Sequence, residues 1–280
     1  MRATTIQDSA LAKRLQRETS AEVLFDDFSR GLYSTDASIY QIMPLGVVVP
    51  ETQDDVKTTL DIAYENGISV TMRGAGTSQC GQTVGEGIIV DVSKNLNRLV
   101  SVDPEKQQAT VEPGIVLDQL NGLLKKHGLF FPVDVSTSSR ATIGGMTANN
   151  SCGARSIRYG KMVDNVSEVD AVLSDGSSMR FGNWDDENAS AFPKQQKQLV
   201  SQLIDLGERE SEEVTKRFPR VQRRVGGYNL DVLSAEPGSS LNLAHLLVGS
   251  EGTLAVSSQI TLNLQPIPDH KVLGVCHFPT

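Results

Sequence analysis

Short apolar runs separated by turn residues mark out the first part of the chain. Residues 46–50 and 68–72 are two such runs, and residues 52–67 between them combine an acidic start with the apolar spacing of a helix. A third apolar run, residues 88–92, follows a glycine-rich stretch. Strand, helix and strand within about 25 residues predict a small βαβ-like unit.

The segment that precedes this unit has helical spacing. Residues 6–30 predict two helices, of which the second is capped by Ser20 and ends before Gly31. Its apolar residues are Val23, Leu24, Phe25 and Phe28. We therefore expect residues 1–38 to form a helical arm.

After residue 95 the pattern becomes richer in strands. Two hairpins are predicted around turn residues, one of them an Asp-Gly turn. The predicted strands are 99–102, 109–111, 166–173, 178–181 and 252–264, with a strand-like run at 272–278, and the predicted helices are 115–126 and 192–217. The fold class expected is α+β, a domain over residues 39–270 in two lobes. A small βαβ-like lobe takes residues 39–95, and a larger antiparallel-sheet lobe flanked by helices takes residues 96–270.

Composition and charge exclude several classes of protein. With 280 residues, 39% hydrophobic and 21% charged, the chain has the composition of a folded protein. A net charge of −8 argues against a nucleic-acid or anionic-membrane partner. No apolar run approaches the ~20 residues of a membrane span, and the N-terminal residues lack a signal-peptide core. Cys80, Cys152 and Cys276 form no CxxC pair, so we expect reduced thiols, a cytoplasmic setting and no metal site in this chain.

A glycine-rich loop directly after the second strand is the first candidate site. Small residues let the backbone approach a ligand closely, and successive N–H groups in such a loop bind anions, with a pyrophosphate as the natural guest. A tight connection between strands is the alternative, and the spacing is not the GxGxxG of a Rossmann site. The candidate ligand-binding residues are Arg73, Gly74, Ala75, Gly76, Thr77, Ser78, Gly81 and Gln82.

Two further stretches carry candidate binding residues. Residues 132–153 are mostly small or polar and fit an extended ligand, or alternatively a long surface loop; the apolar Ile143 and Met146 indicate a buried turn. Residues 246–254 form an apolar run interrupted by a polar turn, in which a glutamate is either solvated or a hydrogen-bond acceptor for a ligand. The candidates in these stretches, and in the Tyr159-Gly160 pair that follows the first of them, are Pro132, Thr142, Ile143, Gly144, Gly145, Thr147, Ala148, Asn150, Ser151, Gly153, Tyr159, Gly160, Glu251 and Gly252.

The three stretches together resemble the FAD-binding domain of the vanillyl-alcohol oxidase and p-cresol methylhydroxylase (PCMH) superfamily over about residues 40–270. The D-lactate, glycolate and D-2-hydroxyglutarate dehydrogenase branch is most similar, including its large bacterial members with an iron–sulfur half. The motifs that carry the resemblance are Arg-Gly-x-Gly-Thr, Thr-Ile-Gly-Gly-x-x-Ala-x-Asn, Gly-Ser-Glu-Gly-Thr-Leu and the Gly-Tyr-Asn-Leu of residues 227–230.

The resemblance implies the two-lobed PCMH-type fold and FAD as cofactor. It implies that residues 73–82 and 142–153 hold the pyrophosphate and adenosine, and that the flavin ring lies near residues 132–147 and 251–253. Thr77 stands where several members carry a histidine bonded to FAD, so non-covalent binding is expected, although a thiol contact from Cys152 stays open. An iron–sulfur cluster is expected only with a C-terminal half.

The implied reaction is oxidation of a D-2-hydroxy acid by hydride transfer to FAD, with the electron acceptor open. In the family the groups that bind the substrate carboxylate and the divalent metal, and the catalytic histidine, belong largely to a cap domain that follows, and we expect residues 271–280 to begin it. None of His127, His245, His270 and His277 forms a metal-spaced pair, so no catalytic residue is assigned. A catalytically silent FAD-binding module and an NADPH-dependent enolpyruvyl sugar-nucleotide reductase are the alternatives, although Tyr228-Asn229 favours the hydroxy-acid branch.

Overall fold

Two separate β-sheets organise the protein. The structure is a computed structural model, and it describes residues 9–184, 192–234, 241–270 and 272–279. One sheet has four strands and the other has five, and helices pack on both. The predicted α+β class with two lobes is confirmed, and the boundary expected at 95/96 falls in the connection between the two sheets.

The four-stranded sheet builds the small lobe, with the strand order β1-β2-β4-β3. The strands β2 and β3 both pair in parallel with β4, which lies between them, and β1 pairs antiparallel with β2. The predicted strands and the helix of this lobe are confirmed. The bounds are β1 Glu22–Leu24, β2 Gly46–Val49, β3 Val70–Arg73, β4 Ile88–Asp91, α1 Ala10–Glu18, α2 Asp27–Leu32 and α3 Gln53–Glu65.

The start of α3 explains an error in the predicted arm. Thr52 caps α3 and forms a capping box with Asp55. The Asp55 carboxylate also accepts hydrogen bonds from the backbone N–H and the hydroxyl of Ser20, both at 2.8 Å. Ser20 is therefore not a helix cap: residues 22–24 form β1, and α2 begins after Asp26, which bonds the N–H of Ser29. Residues 1–8 of the predicted arm lie outside the described residues.

The small lobe is packed on both faces of its sheet. On one face, Val48, Ile88 and Val90 contact the apolar sides of α1 and α3. On the other face, Val47, Val49 and Ile89 are buried beneath Leu24 and Tyr33. Burial on both faces accounts for the uninterrupted apolar runs of β2 and β4, as expected of parallel strands.

The five-stranded sheet builds the large lobe. It is antiparallel in the order β5-β6-β12-β8-β9, so the last long strand lies at its centre. Two short ribbons, β7 with β13 and β10 with β11, complete the lobe. The bounds are β5 Leu99–Asp103, β6 Gln108–Val111, β7 Leu129–Phe130, β8 Val166–Val172, β9 Ser178–Phe181, β10 Asn183–Trp184, β11 Leu241–Asn242, β12 Val256–Asn263 and β13 Gln265–Pro266.

Helices cover this sheet and close the larger core. The helices predicted at 115–126 and 192–217 are confirmed as α4 and α8, whereas the buried turn predicted around residues 143–146 is a helix, α5. The strand-like run predicted at 272–278 is wrong, because residues 272–279 are exposed and pair with no strand among the described residues. The bounds are α4 Leu117–Leu124, α5 Ile143–Asn149, α6 Ser156–Tyr159, α7 Met162–Asn165, α8 Lys194–Arg217 and α9 Ala244–Leu247.

Candidate functional site

The three stretches with candidate chemistry meet at a cavity of about 240 Å³. Residues 72–83 of the small lobe form one wall, and residues 135–151 and 247–257 of the large lobe form the other. The predicted residues that line it are Arg73, Gly74, Ala75, Gly76, Thr77, Ser78, Gln82, Thr142, Gly144, Gly145, Ala148, Ser151, Glu251 and Gly252. The structure therefore brings together residues that are up to 179 positions apart in the chain (252 − 73 = 179).

The glycine loop after β3 has the backbone of an anion site. Gly76 has a left-handed φ of +66°, and its carbonyl accepts the N–H of Ala37 at 3.0 Å. The backbone N–H groups of residues 74–78 have no acceptor among the described residues. Buried or semi-buried N–H groups normally find partners, so a row of unused donors on a cavity wall suits a phosphate.

Gly74 brings this loop against the start of α5. A Cβ at Gly74 would collide with Oγ1 of Thr142, whose side chain is buried. Thr142 caps α5 and accepts the N–H of Gly145 at 3.3 Å. The contact between Gly74 and Thr142 thus joins the two lobes beside the cavity, and only glycine permits it.

Arg73 supports the loop from inside. Its guanidinium donates to the carbonyl oxygens of Thr35 at 2.8 Å and of Tyr33 and Thr83 at 3.3 Å. It also lies over the Tyr33 ring, 5.2 Å from the ring centroid. Arg73 lines the cavity, but its donors are largely used in holding the chain around Gly76.

The helix α5 turns small residues toward the cavity. Its buried residues are Ile143, Met146 and Thr147, followed by the buried C-cap Asn150; Gly144, Gly145, Met146, Ala148 and Asn149 line the cavity. The N–H groups of Ile143 and Gly144 are bonded to the carbonyl oxygens of Ile115 and Pro113. The contribution of this helix to a ligand is therefore close backbone approach rather than free N–H groups.

A polar bridge crosses the mouth of the cavity. One carboxylate oxygen of Glu251 accepts hydrogen bonds from the side-chain amides of Asn149 at 2.9 Å and of Gln82 at 3.4 Å. Gln82 is bonded in turn to Ser78 of the glycine loop. Glu251 has a left-handed φ of +54°, and its N–H is bonded to Ala148. We call Gln82, Asn149 and Glu251 the Glu251 bridge; it links the two lobes.

Part of the cavity lining is apolar, and we call this part the apolar end. Met72 and Val92 from the small lobe line it with Pro113, Ala255 and Val256 from the large lobe, and Met72, Val92 and Val256 pack in one apolar cluster. Sequence reasoning missed these residues, since each is an ordinary core residue in its own strand or turn. It also missed Asn149 and Thr137. The spacing 143, 146, 147 and 150 is that of one helix face, and it would have assigned Asn149 to the cavity had this stretch been interpreted as a helix.

Several predicted residues lie outside the cavity. Asn150 is buried and bonds the N–H of Val163 through its side-chain oxygen, while its amide nitrogen has no partner among the described residues. Tyr159 packs edge-on against Phe130. The predicted residues that do not line the cavity are Gly81, Pro132, Ile143, Thr147, Asn150, Gly153, Tyr159 and Gly160.

The histidines play no part in this cavity. His245 is half-buried, its Nε2 lies 3.2 Å from the carbonyl oxygen of Val166, and burial lowers its pKa. His127, His270 and His277 are exposed. The described residues contain no group of three His, Cys, Asp or Glu side chains that could hold a metal ion. None of the described helices combines the length and the apolar composition that a membrane crossing requires.

Comparison with known families identifies the domain to which most of the residues lining this cavity belong. Residues 44–182 match the family model of the FAD binding domain, and this range contains the glycine loop and α5. Within the chain, residues 44–182 form this FAD binding domain. Solved structures of alkyldihydroxyacetonephosphate synthase share the fold of this domain, with a TM-score of 0.66 at 17% identity over 93% of this chain and 41% of that chain.

Curated relatives extend the similarity beyond the FAD binding domain. D-2-hydroxyglutarate dehydrogenases of Pseudomonas putida and Escherichia coli are 36% and 35% identical over 90% and 84% of this chain. The glycolate oxidase subunit GlcD of Bacillus subtilis is 30% identical over 88% of this chain and 43% of its own length. The chain spans about a quarter of the two dehydrogenases, 26% and 24% of their lengths.

The residues of the cavity fit FAD. The unused N–H groups of residues 74–78 suit its pyrophosphate. Gly144 and Gly145 keep the facing wall free of side chains, and the apolar end around Met72 and Val256 suits a planar ring. FAD is therefore the cofactor of this domain, in agreement with the expectation from the sequence.

Proposed function

We propose that this cavity binds FAD non-covalently and that the protein oxidises a D-2-hydroxy acid of the D-2-hydroxyglutarate or D-lactate type. The observation that carries the proposal is the convergence of three distant motif stretches on one cavity between the lobes. The names of the curated relatives support the substrate class, since they are dehydrogenases of D-2-hydroxyglutarate and D-lactate and an oxidase of glycolate, the achiral 2-hydroxy acid. The electron acceptor is left open.

The cavity has two chemically different ends, which suggests how FAD lies. We assign the pyrophosphate to residues 74–78, facing Gly144 and Gly145. The adenine takes the apolar end beside Met72 and Val256, and the flavin ring takes the polar end beside Ser151 and Glu251. The carboxylate of Glu251 has a second oxygen that the Glu251 bridge does not use, and this oxygen is an acceptor suited to a ring N–H.

When bound, FAD would supply the redox chemistry by taking up the hydride of the α-carbon, while the hydroxyl proton of the hydroxy acid passes to a base and the product is the 2-oxo acid. The residues of this chain bind and orient the cofactor. Thr77 lines the cavity where a bonded histidine would stand, and a threonine hydroxyl does not form that linkage. The cysteines are free, which supports the cytoplasmic location that we also propose.

Absorbance spectroscopy of the purified chain tests this function. We expect a flavin spectrum after incubation with FAD, and release of all flavin on denaturation. Absence of bound flavin, or flavin retained after denaturation, would contradict the binding proposal. D-2-Hydroxyglutarate, D-lactate and NADPH are then added separately, both to this chain and to the longest natural protein that contains it. Bleaching of the longest protein by a hydroxy acid is the expected result, and bleaching by NADPH alone would favour the reductase.

A further inference from the structure

A second cavity lies beside the FAD cavity. Its volume is about 520 Å³, and it shares Arg73, Gly74, Ala75 and Thr142 with the first cavity. Because Gly74 packs directly on the buried Thr142 side chain, these shared residues separate the two spaces. The second cavity also joins the lobes, since α2 and the end of β4 line it on one side and α4 and residues 139–140 on the other.

The charges of this cavity favour an anion. Lys94 from the small lobe and Arg140 from the large lobe are exposed, and neither side chain has a hydrogen-bond or ion-pair partner among the described residues. Asp91 is the one carboxylate among its described lining residues. It is buried and already accepts the Tyr33 hydroxyl at 2.7 Å and the N–H and hydroxyl of Ser93 at 2.8 and 2.6 Å. Two unpaired cations therefore face one space in a chain of net charge −8.

Uncharged groups complete the cavity. Gln119 and Ser139 add polar side chains to the lining, and Leu32, which is 59% exposed, adds apolar surface with Val116. The first N–H groups of α4 are already bonded to the carbonyl oxygens of Ala141 and Ser138, so recognition depends on side chains rather than on the helix terminus. This mixture suits a small organic molecule with a charged end.

We propose that this second cavity binds a small organic oxyanion, with Lys94 and Arg140 holding its carboxylate or phosphate from opposite lobes. A lysine and an arginine that line one cavity can recognise either group. The proposal concerns a molecule bound in addition to FAD, because the wall formed by Gly74 and Thr142 separates the two ligands.

Calorimetric titration of the FAD-saturated chain tests this site. Succinate and inorganic phosphate are titrated separately, and we expect at least one of them to bind. The double variant Lys94→Gln with Arg140→Gln should bind about tenfold or more weakly. The matched control, Lys125→Gln with Lys126→Gln, changes the charge by the same amount at exposed residues and should bind within about twofold of the original chain.

The results of these titrations distinguish the kinds of ligand and test whether the site exists. Binding of succinate alone identifies a carboxylate ligand, binding of phosphate alone a phosphate ligand, and either supports the site. Equal weakening in the control variant would show a general charge effect and overturn the proposal, as would absence of binding by both probes. Release of FAD on addition of the anion would also overturn it, because the two cavities would then be one site. An unchanged flavin spectrum and unfolding midpoint show that the double variant is folded.

Discussion

At residue 74, a hydrogen in place of a side chain decides how closely the glycine loop approaches α5. The nearest heavy atom to a Cβ at this position would be the hydroxyl oxygen of Thr142, which is buried and cannot move away freely. Both cavities border on this contact, so its geometry affects more than the local backbone.

Substitution of Gly74 by alanine should therefore weaken FAD binding. Forcing a methyl group into this contact costs about 1–3 kcal/mol, which corresponds to a dissociation constant raised about 5- to 150-fold. Gly122→Ala is the matched control, because nothing lies within 4 Å of a Cβ there, and alanine favours the helix. Titration of FAD into each variant, followed by flavin fluorescence, measures the effect. Equal affinity in both variants would contradict the role given to Gly74.

The half-buried His245 predicts a pH dependence of stability. Burial lowers its pKa in the folded state, whereas in the unfolded chain the value returns to about 6.5. The folded state then binds fewer protons, so the contribution of His245 is complete above about pH 6.5 and is lost as the pH falls below that value.

We expect the free energy of unfolding to fall between pH 7.5 and pH 5.5 by up to about 1 kcal/mol per pH unit on account of this residue. Urea unfolding of the original chain and of His245→Gln measures it, and the variant should show a flatter slope. His127→Gln is the control, since His127 is exposed and should leave the slope unchanged. If the slope became flatter in His127→Gln and not in His245→Gln, the assignment to His245 would be refuted.

At the scale of elements, α3 and the Glu251 bridge illustrate two ways of joining segments that are distant in sequence. Asp55 accepts hydrogen bonds from Ser20, Glu51 and Thr52, so the first turn of α3 also holds the chain just before β1. Burial raises the pKa of Asp55, but these hydrogen bonds lower it by more, and the net pKa is below its usual value.

Asp55→Ala should destabilise the protein by about 3 kcal/mol at neutral pH, because it leaves buried N–H groups without an acceptor. Asp54→Ala lies in the same helical turn but is exposed, and should cost less than about 1 kcal/mol. Chemical denaturation followed by circular dichroism compares the two variants. Similar losses in both would mean that the helix dipole, rather than the contact with Ser20, accounts for the effect.

The Glu251 bridge should slow the release of FAD. Glu251→Ala removes the acceptor of two hydrogen bonds between the lobes, and we expect FAD to dissociate roughly tenfold faster. Glu251→Gln keeps a side-chain oxygen and should lie between the original chain and the alanine variant. Stopped-flow displacement of FAD measures the rates, and Glu105→Ala, an exposed residue of the β5–β6 turn, is the control. No change in Glu251→Ala would refute the bridge as a barrier to exchange.

Most individual elements followed from the sequence, because an apolar run or a helical spacing is a local property. The strands β2, β4, β8 and β9 and the helices α3, α4 and α8 lie where the pattern predicts them. The predictions were wrong where a distant partner decides the outcome. Residues 22–24 become a strand because β2 offers them an edge, and Ser20 is bonded to Asp55 instead of capping a helix.

The cavity was predicted only in part for the same reason. Most of the predicted lining residues came from the motif stretches, because a run of small and polar residues can be recognised in a single sequence. The apolar end was not visible, because Met72 and Val256 become neighbours only after both lobes have formed. The prediction named Asn150, whereas Asn149 lines the cavity. The rotation of α5 about its axis determines which of these two adjacent side chains faces the ligand.

At the scale of the whole molecule, the cavity is built from two lobes with separate apolar cores. A ligand bound to both lobes should stabilise both. At 100 times its dissociation constant, FAD should add about 2.7 kcal/mol to the free energy of unfolding. Urea titration with and without FAD measures this increase. Fluorescence of Trp184, the single tryptophan, reports on the large lobe, and amide hydrogen exchange of β4 reports on the small lobe. Protection confined to one lobe would contradict a shared site.

The central position of β12 in the large sheet also constrains how the chain folds during its synthesis on the ribosome. β12 pairs with both β6 and β8, which are made about 150 and 90 residues earlier (256 − 108 = 148; 256 − 166 = 90). Until β12 emerges, both older strands have open edges, and the apolar end of the cavity lacks Ala255 and Val256. The nascent chain therefore cannot acquire its cofactor early, and its exposed strand edges need protection during translation.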